Sequence, residues 1–140
     1  MASYWGGGAA YPASQTHSSL THTRYFWDYD NVQKPYKIKS ILDAIEMLKT
    51  RFGNGTFYIV GNDQLHNIGF SLNALMDVKF VNSHGGNKHD EMLIDGIEEN
   101  KNWRNGDTIV LLSGDHHFRV PMEKLRDMGV KTIVVYREVG

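Results

Sequence analysis

Five short apolar runs alternate with amphipathic segments along most of this chain, and that alternation constrains the fold more than any other feature. Tyr25 to Tyr29, Thr56 to Val60, Val78 to Val81, Asp107 to Leu112 and Lys131 to Tyr136 read as strands. Between them, Ile38, Ile41, Leu42, Ile45, Met47 and Leu48 recur at helical spacing up to Phe52, where Gly53-Asn54-Gly55 gives a stop. Gln64 to Leu75 reads as a weaker helix interrupted by Gly69, His89 to Asn102 as the clearest helix, and Arg119 to Met128 as a helix ended by Gly129. Strands that alternate with helices imply a mainly parallel sheet covered on both faces. Right-handed crossovers leave few topologies, so the expected fold is α/β: a three-layer α/β/α sandwich on five strands in the order 3-2-1-4-5.

At 140 residues the chain has material for one domain with a real core. The expected domain runs from 24 to 140. Residues 1–23 read as a disordered N-terminal tail, because Gly6-Gly7-Gly8, Pro12 and the polar run from Ser14 to His22 show no apolar periodicity. Tyr4, Trp5 and Tyr11 make that leader weakly sticky. The absence of cysteine removes disulfides, thiolate zinc sites and cysteine nucleophiles. No apolar run approaches the ~20 residues that cross a bilayer, and no basic-then-apolar leader marks secretion. The expectation is an intracellular protein, cytoplasmic or nuclear, with no membrane partner. A formal net charge of -1 gives no global positive field, so a nucleic acid must be held by a local basic patch or through bound metal.

Two strands end in polar clusters. The first closes on Asp28, Asp30 and Asn31; the fourth closes on Ser113-Gly114-Asp115-His116-His117. In open α/β sheets, ligands bind outside the carboxyl ends of the strands where the strand order reverses. With the order 3-2-1-4-5, these two ends are neighbours. A third acid, Asp90, stands in line with Leu93, Ile94 and Ile97 and so continues the apolar stripe of its helix toward the sheet. Its bland alternative is a cap on its own helix N-terminus. Glu91, Asp95, Glu98 and Glu99 fall on solvated faces. Hard oxygen ligands in this number suit Mg2+ or Mn2+, which would polarise a phosphate and generate hydroxide from water.

The remaining candidates are secondary. Asn31 could orient a ligand or act only as a turn former. His117 could be a metal ligand, a proton shuttle or a phosphate contact, with His116 exposed beside it. Ser113 could cap its loop or bond a phosphate. Lys88, at the end of the glycine-containing loop from His84, offers charge at a helix N-terminus. Arg119, with Lys34, Lys37 and Lys124, could flank the crevice and contact backbone phosphates.

The segments Phe26-Trp27-Asp28-Tyr29-Asp30-Asn31, Asn87-Lys88-His89-Asp90-Glu91-Met92-Leu93 and Ser113-Gly114-Asp115-His116-His117-Phe118 resemble, in order and spacing, three motifs of NYN domains, the PIN-like ribonucleases. The opening motif is similar to that of the limkain-type, meiosis-regulating branch. The resemblance covers roughly Arg24 to Tyr136. It implies a Mg2+- or Mn2+-dependent endoribonuclease that hydrolyses single-stranded RNA with metal-activated water. Asp28, Asp30, Asp90 and Asp115 would be its acidic constellation, and homodimerisation or RNA-regulatory protein partners would accompany it. One departure stands out: many family members carry an acid or an asparagine where this chain has His117. A catalytically degenerate RNA-binding or protein-interaction module is therefore the alternative expectation. A haloacid-dehalogenase-like phosphatase is disfavoured because no second acid follows Asp115 closely, and a phosphoacceptor receiver because its lysine after the last strand is missing.

Overall fold

The computed structural model describes residues 21–35, 37–62, 75–83, 89–99 and 102–136. The elements are β1 (Thr23–Asp28), α1 (Ile41–Phe52), β2 (Thr56–Gly61), β3 (Val78–Asn82), α2 (His89–Glu99), β4 (Thr108–Leu112), a 3-10 turn (His116–Phe118), α3 (Arg119–Asp127) and β5 (Lys131–Val135). The sheet order is β3-β2-β1-β4-β5, as the alternation predicted, and every neighbouring pair is parallel. The weaker helix expected over Gln64 to Leu75 and the loop from His84 to Lys88 lie largely or wholly outside the described residues. So do residues 1–20 of the expected tail. Among the described residues no helix is long and apolar enough to cross a membrane.

Side chains alternate across the sheet and divide the core in two. On one face, Tyr25, Trp27, Phe57, Ile59, Val110, Leu112, Ile133 and Val135 pack with α1. On the other, Phe26, Val60, Ile109 and Leu111 pack with Leu93 and Ile97 of α2 and Met122 and Leu125 of α3. Gly96 of α2 packs over the rings of Phe26 and Tyr58, where an added Cβ would sit at 3.5 Å, an ordinary contact distance. Central strands buried on both faces explain why β1 and β4 read as unbroken apolar runs rather than alternating ones.

Helix α1 begins three residues later than the periodicity suggested. Ser40 caps it by accepting the Asp43 amide at 3.1 Å, and Ile38 is drawn into a turn with Pro35 instead. Its buried stripe is Ile41, Ala44, Ile45, Leu48 and Phe52, while Leu42 is exposed. The end of the helix is tied to β1 by Tyr25, whose hydroxyl donates toward Leu48 O at 3.1 Å and Gly53 O at 2.5 Å. Burial pushes that hydroxyl's pKa well above the usual tyrosine range, so it stays a donor at any physiological pH. Tyr25 also stacks flat on Phe57 with ring centroids 4.0 Å apart. A Tyr25→Phe substitution keeps the stack and strips the donor from these carbonyls. It should cost about 1–2 kcal/mol of stability in denaturant unfolding, with no change in the slope of the transition.

Two further anchors fix the frame. Trp103 is buried against Phe26 and donates its indole N–H to Ile97 O at 3.0 Å, which closes the end of α2, and the Arg24 guanidinium lies 4.4 Å over the indole ring. Asp107 is fully buried and was not singled out from sequence. Its two carboxylate oxygens accept the backbone amides of His22 and Arg104, each at 2.9 Å. Together with the Thr108 amide on His22 O, this holds the start of β1 against β4 two residues before the first strand had been expected to begin.

Candidate active site

Strands β1 and β4 pair as neighbours, so the turn that carries Asp28 and the loop that carries Ser113 and Asp115 leave the same edge of the sheet. In β1, Phe26 faces the α2/α3 side, so alternation turns Asp28 to the same side at the strand's end. Asp28 is completely buried there, and its Oδ2 accepts a hydrogen bond from the Asn31 side-chain amide. The backbone folds back to make that bond: Val32 N donates to Asp28 O at 3.0 Å, and the Trp27 indole N–H reaches Val32 O at 2.6 Å. Asp30 rides on this turn, half-buried.

Past β4, Ser113 is buried, and its Oγ accepts the Asp115 amide at 3.1 Å. Asp115 in turn accepts the His117 amide at 2.9 Å and so caps the 3-10 turn. This pair of side-chain-to-backbone bonds gives the loop one shape and aims the Asp115 carboxylate back over the sheet edge. Asp90 comes from the second residue of α2, which packs on β1 and β2.

His117 links the start of α2 to the loop after β4. Its Nδ1 stands 2.8 Å from Asp90 Oδ2 and 3.0 Å from Asp115 Oδ1. One ring nitrogen therefore sits between two carboxylates that are within two hydrogen-bond lengths of each other. Like charges brought this close repel unless a donor or a cation lies between them, and here the imidazole N–H does so. The side chains of Asp90 and Asp115 are 19% and 24% exposed, so the pair is sheltered yet reachable from solvent. Ligand atoms of Asp115, His116 and His117 all lie within 4.8 Å of one another, close enough to share one cation.

The other expected residues divide. His116 projects into solvent, its side chain 88% exposed, with its ring against that of His117 at 4.5 Å. Arg119 is also exposed and pairs with Glu123 at 3.3 Å on its own helix. Lys34 is turned to the Ile38 carbonyl at 2.7 Å, which accounts for its charge without a ligand. Lys88 lies outside the described residues.

Beside the acids is a cavity of about 520 Å³ that sequence reasoning did not foresee. Its floor includes Leu111 and Met122, its outer wall is Thr132, Val134 and Tyr136 of the β5 edge, and Ser113 and Asp115 close one end. The signal was present in Lys131-Thr-Ile-Val-Val-Tyr136. Alternation sends Ile133 and Val135 to the α1 face and leaves Thr132, Val134 and Tyr136 on the opposite one, where α3 does not cover them.

The NYN domain family model matches residues 23–139, the whole of the sheet and every residue of this edge. The chain belongs to the NYN domain family. NYN domains are part of the PIN-like nuclease superfamily, which assigns this one a ribonuclease or RNA-related role. No curated protein matched the chain as a relative. The NYN assignment agrees with the five-stranded parallel sheet. Among the described residues, the ligand atoms close enough to share a cation are one carboxylate, of Asp115, and two imidazoles, of His116 and His117, with the Asp90 carboxylate 2.8 Å from the His117 ring; oxygen and imidazole donors of this kind suit Mn2+ better than Mg2+.

Proposed function

We propose that this NYN domain is a divalent-cation-dependent endoribonuclease acting on single-stranded RNA. The observation that carries the reading is the convergence of Asp90 and Asp115 on the His117 ring past the end of β4, whose neighbour β1 ends in the buried Asp28. Asp28, Asp30, Asp90 and Asp115, with His117, would hold Mg2+ or Mn2+. A bound ion of this kind neutralises charge on a scissile phosphate and makes water a stronger nucleophile near neutral pH.

The chain's own residues do the rest. Asn31 holds the Asp28 carboxylate in one rotamer, and Ser113 holds the loop that carries Asp115. His117, whose Nδ1 stands between the Asp90 and Asp115 carboxylates, orients both of them. His116 and Arg119, both exposed on the same loop and helix start, offer contacts to RNA phosphates. The likeness of the opening motif to the limkain-type branch, an intracellular setting, and a homodimer or RNA-regulatory protein as partner complete the proposal.

The experiment is cleavage of a labelled single-stranded RNA by the purified chain with manganese, with magnesium and with chelator, beside Asp28→Asn. Cutting should require the metal and vanish in the variant; cutting that survives chelator would sink the reading. A second reading, an NYN module that binds RNA without cutting it, is favoured by His117 itself, which adds no negative charge where an acid would. RNA retained in chelator, with no turnover under any metal, would select it.

A further inference from the structure

We propose that the cavity beside Asp115 is a base-binding subsite, receiving the nucleobase of the RNA nucleotide next to the phosphate held at the acids. The inference rests on the ribonuclease reading above and adds to it where the substrate lies. Three observations carry it. The first is adjacency: Ser113 and Asp115 close one end of the cavity and also belong to the acidic site, so the two share a boundary only one side chain thick. The second is size and character. About 520 Å³ is within the range of small-molecule pockets, and Leu111, Phe118, Met122 and Val134 give it an apolar lining ringed by polar and charged side chains. Tyr136 gives an aromatic wall on which a base can stack, and Thr132 a hydroxyl that can reach a base edge.

The third observation is the rim. Arg119 and Arg126 border the opening, and both are exposed. Glu123 stands between them and pairs with Arg119 at 3.3 Å, so Arg126 is the guanidinium at the mouth with no ion pair to Glu123, placed to meet an anionic backbone that runs past while its base turns inward. Such a subsite explains how a chain with a net charge of -1 could still hold RNA, because stacking does not need a positive field. It also predicts preference for unpaired RNA, since a base must leave its stack to enter.

The test uses the full chain and a labelled 12-nucleotide RNA in which a single abasic ribose is moved along the strand. Cleavage is followed with manganese, and binding with calcium in its place. Wild-type protein should lose roughly tenfold or more in both readouts when the abasic position falls beside the cut, and little when it falls elsewhere. Tyr136→Ala, which removes the stacking face, and Thr132→Trp, which fills the slot from the strand edge, should lose a similar factor on intact RNA. Both should then be indifferent to the abasic position. The abasic series on wild-type protein does not depend on either variant folding.

Normal cutting with no positional dependence would overturn the subsite and leave the nuclease standing. Position-dependent binding without cutting would remove the nuclease and keep the subsite. A Thr132→Trp protein that changes oligomeric state while keeping the wild-type response to the abasic position would assign the cavity to contacts between copies, and the proposal would fail.

Discussion

Asp115→Asn should abolish most metal-dependent RNA cleavage, lowering kcat/KM by at least about a hundredfold, while leaving the fold in place. Asparagine keeps the side-chain shape and one carbonyl acceptor, so the His117 amide can still be capped and the 3-10 turn retained. What it removes is a negative charge from a sheltered site where two carboxylates share one imidazole N–H. Relief of that repulsion offsets the lost contact, so the thermal midpoint should move by only a few degrees (about 1 kcal/mol or less). The same change at Asp43, an acid in the first turn of α1 that is open to solvent, should leave cleavage untouched. Rates against manganese concentration for the three proteins make the comparison. Wild-type cleavage by Asp115→Asn would take Asp115 out of the site.

The largest effect on stability is expected far from the acids. A Cβ placed on Gly55 would stand 2.1 Å from the backbone oxygen of Thr23 and 2.8 Å from its carbon. Neither atom can swing away, because Thr23 begins β1 and is fixed by pairing with Thr108. Gly55→Ala must therefore shift backbone where β2 comes in beside β1, and should cost about 3 kcal/mol, or roughly 10 °C in the thermal midpoint. Asn54→Ala, one residue earlier on an exposed position, should be close to neutral. An unchanged midpoint for Gly55→Ala would mean that the turn before β2 yields more easily than the contact distances allow.

The two glycines around Asn54 illustrate what a sequence discloses and what it withholds. Read alone, Gly53-Asn54-Gly55 is one helix stop, and Gly53 fills that role with φ +115° as the cap of α1. Gly55 is needed for a different reason, a close approach by the first strand, and no local pattern encodes a contact with a residue so distant in the chain. The strands and their order were legible because burial on both faces forces long apolar runs, and because right-handed crossovers leave few ways to lay them side by side.

That the ends of β1 and β4 lie side by side was legible for the same reason, since topology alone brings them together. The position of His117 was not. A histidine two residues after an aspartate can turn several ways, and only the packing of α2 brings Asp90 within 2.8 Å of its ring. Ser113 was open between capping and phosphate contact; in the structure its Oγ accepts the Asp115 amide. Asp107 escaped notice because a buried acid that satisfies two backbone amides looks, in sequence, like any turn aspartate.

Every strand of this sheet points the same way, and that has a consequence for whatever is joined to the domain. The chain arrives through His22, pinned by Asp107 at the amino edge, and leaves through Tyr136 at the carboxyl edge, on the wall of the cavity next to Asp115. The two ends lie on opposite rims, separated by a five-residue strand length of about 17 Å. A partner that grips the chain at Tyr136 therefore stands next to Asp115, whereas one that grips it at His22 stands a full strand length away.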